Sequence, residues 1–424
     1  MHVIRNASAA LFRLRMGKGV GEPMKILFLM VDGFDTPTSI NQLIETLLCD
    51  ILDAGIQVHM VSGRKGGSLP DVPETLRNRS GFTFEIVDRK GTVNKSNFIK
   101  RFCRDLSYVF KAKRAWRKVI EGVDCVIMQS TPLGALHVLA IKRRRNVPVV
   151  YNMYDIFPDN TRQVVGRVPY AFFSTLQRML YKKCDEIVVL TDDMKSTLVN
   201  KGVPESKLRT VPNWYDEQSV KEVPQGTNKF LAQYNIDTSK FIVQFAGSIG
   251  YVFDYHFVVD TAELLRDCKN IEFHMIGQGA RLNEFKHEVS ARNLDSIHFF
   301  PWQPIEEIAD VYSACSIGII PLERDVIRCA YPSKTSLLMA CGRPVLYSVE
   351  EDSSFSQTIE REKTGWCVPR GDAERAARVI RRLANHPEEV SAYASRAKQY
   401  AASNLSRADN TRRFVDIIKE ACRI

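Results

Sequence analysis

The sequence predicts an α/β protein built from two Rossmann-like, doubly wound parallel sheets. Three observations carry that expectation. At 424 residues the chain is too long for one ordinary core. Its first half alternates strand-like runs with amphipathic helices, beginning at Lys25-Ile26-Leu27-Phe28-Leu29-Met30-Val31. The same alternation starts afresh at Phe241-Ile242-Val243-Gln244-Phe245-Ala246.

The first run is almost wholly apolar, as a strand buried on both faces requires. A loop follows from Asp32 to Ser39, then an amphipathic helix over 40–54 closed by Gly55, then a strand at Val58–Ser62. This β-α-β unit has no G-x-G-x-x-G, so the dinucleotide fingerprint is absent. Phe82–Val87 reads as a strand. Over 97–122, Phe98, Phe102, Leu106, Val109, Phe110 and Trp116 recur at helical spacing among Lys100, Arg101, Arg104, Lys111, Lys113, Arg114 and Arg117. Such a helix suits either an anionic lipid surface or a core contact with a solvated basic face. Val123–Met128 and Val147–Met153 are strands. The helix between them ends in Lys142-Arg143-Arg144-Arg145, where cations favour a helix C-terminus.

The strand ending at Met153 delivers Tyr154-Asp155-Ile156-Phe157-Pro158 to the carboxyl edge of the sheet, where doubly wound folds bind ligands. Asp155 is there as a polar contact to substrate or as a loop-ordering cap. A helix is expected over 162–183 and a strand at Asp185–Leu190. Asp192-Asp193 is expected to cap the next helix rather than hold a metal. Polar residues 217–229 read as a connection between domains.

In the second half the strands end in turn residues: Gly247-Ser248-Ile249-Gly250, Gly277-Gln278-Gly279, and Pro301-Trp302-Gln303-Pro304. All follow strands, so all are expected on one edge of a second sheet. Glycine there lets backbone amides approach oxyanions. Pro332-Ser333-Lys334-Thr335 then opens a short helix that Gly342 ends. Ser333 is expected to cap that helix, leaving free amides and a mobile Lys334 for a phosphate. A helix is expected over 373–385, and a last helical region over 387–422.

Net charge is +10, from 59 basic and 49 acidic residues, which favours a membrane surface, nucleic acid or a phosphorylated substrate as partner. Ten scattered cysteines and eight histidines show no metal-ligand spacing and read as reduced thiols and isolated imidazoles. The first 23 residues are basic with a thin apolar patch, and are expected to be disordered. Domains are expected at 24–216 and 217–395, with 396–424 crossing back onto the first.

The strand-G-S-I-G loop, the G-Q-G turn, P-S-K-T-x-x-x-M-A-C-G-R-P-V and a late Gly371-Asp372 together resemble glycosyltransferase family 4 of the GT-B fold. Tyr154–Pro158 and Val211-Pro212-Asn213-Trp214 are similar to the bacterial surface-polysaccharide branch, which includes fucosaminyltransferases of O-antigen and capsule synthesis. The resemblance spans nearly all of 24–424. It implies two Rossmann-like domains facing a central cleft, and a retaining transfer of sugar from a nucleotide-diphosphate sugar, usually UDP-linked. It implies an acceptor on the first domain that is a polyprenyl-diphosphate-linked saccharide, the anionic inner-membrane face as a surface, no metal cofactor and no nucleic acid. The enzyme would be cytoplasmic and peripheral to the membrane.

By the same resemblance, Lys334 with Pro332, Ser333 and Thr335 would face the diphosphate. Gly247, Ser248 and Gly250, with Gly277 and Gln278, would line the donor. Trp302 and Gln303 would border the base. Asp155 would act near the acceptor, and the basic helix with Trp116 would meet the membrane. The chain departs from the family where two glutamates usually stand, at Leu337 and Cys329, and where an Arg/Lys pair usually stands, at Ser248 and Phe253. Glu323 and Arg324, in the loop just upstream, are the substitutes for these ribose and phosphate ligands. The first loop, Thr36-Pro37-Thr38-Ser39, lacks the usual glycine pair. A sugar-nucleotide epimerase and a non-catalytic membrane- or partner-binding subunit are the alternatives.

Overall fold

The computed structural model describes residues 22–35, 38–89, 98–162 and 166–422, with only the backbone of Ser39 and of 98–101. The expected extension at 1–23 therefore lies almost wholly outside the described residues, as do Thr36 and Pro37. Two compact units emerge. The first takes the chain to Thr191 together with Lys195–Pro212 and Ala408–Ile424; the second takes Asp192–Met194 and Asn213–Arg407.

The first unit holds seven strands: β1 (Lys25–Met30), β2 (Gln57–Arg64), β3 (Phe82–Asp88), β4 (Cys125–Gln129), β5 (Val149–Asn152), β6 (Glu186–Val189) and β7 (Leu208–Thr210). Their order is β3-β2-β1-β4-β5-β6-β7, and each pairing is parallel. The order reverses between β1 and β4. Residues of β1 and β4 are buried at almost every position, which explains their unbroken apolar runs. The C-terminal helix Arg407–Ala421 belongs to this unit from Ala408 on. It buries Phe414, Val415 and Ile418, and the Cys422 thiol donates to the Asp124 carbonyl at 3.8 Å.

The second unit holds β8 (Phe241–Ser248), β9 (Ile271–Gln278), β10 (Ile297–Phe300), β11 (Ile317–Pro321), β12 (Val345–Val349) and β13 (Gly365–Pro369) in the order β10-β9-β8-β11-β12-β13, again all parallel. Alternate side chains enter two separate cores. Ile242, Ala246 and Ile276 face one, while Val243, Phe245 and Met275 face the other. The order reverses between β8 and β11, and the carboxyl edge at such a reversal is where doubly wound sheets bind ligands.

One helix start in this region differs from expectation. Asp192 and Asp193 sit inside the first turn of helix Asp192–Asn200 rather than before it. The buried Asp193 carboxylate instead accepts from the amides of Ser354 and Phe355, both at 2.8 Å, at the start of helix Ser354–Glu362. A carboxylate is favourable at that amide-rich end. Helix Ser354–Glu362 has no counterpart among the expected elements. Cys125, Cys315 and Cys341 are buried free thiols.

Candidate functional site

The loops after β8, β9 and β11 in the second unit bring the expected donor residues to one sheet edge. Gly247 pairs in register with Gly277, and Ser248 with Gln278. Ser248 and Gln278 are exposed, whereas Gly277 is buried. The loop after β8 then crosses over the end of β11, where Phe253 bridges Leu322.

Lys334 comes from the other side. It opens helix Lys334–Ala340, and its stem lies flat across Gly247. A Cβ built on Gly247 would fall 2.2 Å from Lys334 Cε and 2.9 Å from Nζ. The φ of Gly247 is +154°, and that of Gly277 is +140°. A Cβ on Gly277 would in turn meet the Gly247 carbonyl oxygen at 2.0 Å. Both glycines are therefore required by contacts within the protein. Gly250 is different: a Cβ there meets nothing nearer than Ser248 Oγ at 3.6 Å.

Lys334 is accordingly held rather than mobile. Its ammonium lies 5.6 Å from the centroid of the Phe245 ring, and Phe245 packs at 4.4 Å on Phe253. No carboxylate pairs with it among the described residues. Burial lowers its pKa from the ordinary lysine value. A desolvated cation without a counter-ion favours an incoming anion.

The helix start itself offers less than expected. Ser333 has helical backbone angles, φ −55° and ψ −20°, and its side chain makes no cap. The Thr335 amide already donates to the Pro332 carbonyl at 2.9 Å. Thr335 is buried, and its hydroxyl accepts from Tyr347 OH at 3.2 Å. So Thr335 serves the core here, Pro332 is buried, and Ser333 stays half-exposed. The positive charge comes from the lysine side chain.

Trp302 is 45% exposed in the loop after β10. Gln303 is oriented beside it by donating to Tyr234 OH at 3.1 Å and to the Pro301 carbonyl at 2.8 Å. Glu323 follows β11, and its Oε1 pairs with Arg281 Nη1 at 3.1 Å. Sequence reading passed over Arg281, because nothing in Gly279-Ala280-Arg281 distinguishes it from a surface residue.

Asp155 lies in the first unit after β5, half-buried. No described group hydrogen-bonds its carboxylate, and burial raises its pKa from 3.8 to about 6. Asp35, in the loop expected after β1, is a second carboxylate. It is buried, and its Oδ2 accepts three amides, from Lys65, Gly66 and Gly67, at 2.7–2.8 Å. Those bonds fold the loop after β2 onto the loop after β1.

The basic helix, Phe98–Arg117, needs two corrections. Trp116 is fully buried and donates through Nε1 to His137 Nδ1 at 3.2 Å. Burial pushes His137 down to about 4, so the imidazole is neutral and can accept. Arg104 is also withdrawn from the surface, against Asp105 at 3.2 Å, and Asp105 pairs with Arg89 at 2.6 Å. Lys111, Arg114 and Arg117 are exposed, Lys113 is half-buried, and the side chains of Lys100 and Arg101 lie outside the described ones.

Residues 40–219 match the Glycosyltransferase Family 4 model, and residues 227–400 match the Glycosyl transferases group 1 model. The chain belongs to glycosyltransferase family 4. This glycosyltransferase is 26% identical over 296 residues to "Probable glycosyltransferase WbjE" of Pseudomonas aeruginosa, across 68% of the chain and 73% of that relative. It is 22% identical over 237 residues to "Putative colanic acid biosynthesis glycosyl transferase WcaI" of Escherichia coli, across 55% of the chain and 57% of that relative. Among solved structures it superposes on Anabaena Alr3699/HepE, determined with UDP and glucose, with a TM-score of 0.71. That match covers 94% of this chain and 100% of the other at 14% identity, which establishes the shared GT-B fold.

Two outcomes test this site in the glycosyltransferase. Lys334→Met keeps the stem over Gly247 and removes the charge. It is expected to leave the melting temperature unchanged or slightly raised, and to weaken UDP binding by about 10–100-fold in calorimetry. Gly247→Ala, which displaces the stem, should weaken UDP binding comparably, and the double variant should be no worse than either single one.

Asp155→Asn addresses the first unit. The folded pKa of Asp155 lies above 3.8, so the folded chain holds that proton more tightly than the unfolded chain. The cost of ionising it is absent below 3.8 and complete above about 6. The Asn variant should therefore be more stable than the parent at pH 7.5, by roughly 1–3 kcal/mol, and equal to it at pH 3.5, as read by urea unfolding. Equal stability at pH 7.5 would remove Asp155 from consideration as a strained, functional carboxylate.

Proposed function

We propose that this enzyme transfers a sugar, with retention of configuration, from a UDP-linked donor to a lipid-linked saccharide during assembly of a bacterial surface polysaccharide. One observation carries the donor half of this reading: the partnerless, desolvated Lys334 ammonium at the β8/β11 switch point. As the sugar leaves, negative charge grows on the diphosphate, and a fixed cation stabilises that charge most where water is excluded. Ser248, the residue after Gly247, supplies an exposed hydroxyl at the same sheet edge, and the second oxygen of Glu323 can accept a hydrogen bond from a sugar hydroxyl. Asp155, with its raised pKa, suits proton transfer or charge stabilisation at the acceptor hydroxyl. Support also comes from HepE, which was determined with UDP, and from WcaI, whose name refers to colanic acid biosynthesis.

The acceptor half rests on a surface of the first unit. Helix Arg167–Lys183 exposes Val168 (81%), Phe172 (53%) and Met179 (44%) along one face, flanked by Arg167, Arg178, Lys182 and Lys183. Phe172 meets Phe102 of the basic helix at 6.2 Å, and that helix exposes Phe110 (64%) with Lys111, Arg114 and Arg117. Apolar side chains rimmed by cations suit an anionic lipid interface. Among the described residues, no helix is long and apolar enough to cross a membrane.

The first experiment is thermal-shift binding of UDP, GDP, ADP and dTDP, with and without magnesium. UDP at about 100 times its Kd should stabilise the chain by about 2.7 kcal/mol, equally with or without the ion. No shift with any diphosphate would defeat the donor reading in favour of a non-catalytic subunit. For the membrane surface, the chain should float with vesicles containing about a third anionic lipid, and a Val168→Asp/Phe172→Asp variant should not. Flotation that is unchanged in this variant would remove the helix from the interface.

A further inference from the structure

We propose that Arg281 and Glu323 form a positioning brace that locks the loops after β8, β9 and β11 into one unit, so that the donor meets a preformed site. The proposal rests on the donor reading above and adds a pair that neither the sequence motifs nor the family match assigns.

The main chain already joins these loops, but thinly. The Ile249 amide donates to the Gln278 carbonyl at 2.9 Å, and the Ile249 carbonyl accepts from the Arg281 amide at 3.1 Å. On the far side, the Glu323 amide donates to the Val252 carbonyl at 3.0 Å, and the Asp254 amide donates to Pro321 at 3.1 Å. Between these points Tyr251 and Val252 are exposed, so little apolar burial holds the crest of the β8 loop.

The Arg281 side chain closes the gap. Its Nη1 reaches Glu323 Oε1 at 3.1 Å, which links the β9 loop to the β11 loop. Its guanidinium stands 4.3 Å from the centroid of the Tyr255 ring, at the start of the helix that the β8 loop feeds. Its Nη2 lies 3.4 Å from His256 Nε2, and its Nε lies 3.3 Å from Glu284. The two charged side chains are only 16% and 18% exposed. Water screens such a pair poorly, so removing one partner strands the other.

The planar fork of arginine fits this place. One face covers an aromatic ring while the edge holds a carboxylate. With Oε1 committed to Arg281, Glu323 Oε2 has no partner among the described residues. The brace therefore both fixes the loops and sets the orientation of a carboxylate at the sheet edge. Arg281 is a positioning residue: it acts through Glu323 and the β8 loop.

Hydrogen exchange of the amides at 249–254 and UDP calorimetry, both on the full chain, test the brace. Arg281→Met keeps a cover over Tyr255 and removes the charge. Its loop amides should exchange at least about tenfold faster, and UDP should bind about tenfold more weakly. Arg281→Lys, which restores the charge without the planar fork, should recover part of both. Unchanged exchange in Arg281→Met would sink the brace. So would a Lys variant as impaired as the Met variant, because packing alone would then explain the effect. Faster exchange in a chain whose parent binds no UDP would sink the donor reading, and the donor role of the brace with it.

Discussion

The candidate donor site depends on a close stacking of backbone and side chain at the end of two parallel strands. Lys334 can cross the sheet edge only because Gly247 has no Cβ, and Gly247 can sit there only because Gly277 has none. Two glycines at strand ends and a lysine that opens a helix thus share a space that a side chain on either glycine would fill. The stacking also determines the electrostatics. Laid across a glycine and against Phe245, the ammonium loses water and gains no carboxylate. Its charge is then available to an anion at little reorganisation cost.

Burial acts in opposite directions on the key groups of the two units. It pushes the Asp155 carboxyl up and the Lys334 ammonium down, each toward its neutral form. Neither group has a protein partner of opposite charge among the described residues. Such groups cost folding free energy, and they persist at sites where a ligand completes them. Arg281 and Glu323 contrast with both. They are also withdrawn from water, yet they satisfy each other, which suits a scaffold more than a reacting group.

The first unit divides its charges similarly. Arg104, Arg89 and Asp105 form an ion-paired cluster beneath the surface, whereas Lys111, Arg114 and Arg117 remain outside. The same helix therefore serves as both core and surface. Its apolar side buries Trp116 on a neutral His137, and its outer side joins the exposed face of helix Arg167–Lys183 through Phe102 and Phe172. Basic residues along one sequence segment do not all serve one surface.

The sequence by itself determined the two-sheet architecture, because strands buried on both faces must be apolar nearly throughout, as in β1 after Lys25, β4 before Gln129, and β11. It also located the turns after β8 and β9 and the Lys334 segment, because glycine and proline report backbone demands locally. Tertiary structure alone decided which glycines are required and for what. Gly247 answers to a lysine 87 residues away, a contact no local pattern encodes, while Gly250 answers to no close neighbour. Tertiary structure likewise withdrew Trp116 and Arg104 from the surface, moved Asp193 from its own helix to another, and brought Arg281 to Glu323. Helical periodicity tells which residues share a face, but only packing tells which neighbour that face meets. Ion pairs between loops depend on where three strands end, which is a property of sheet order and not of sequence spacing.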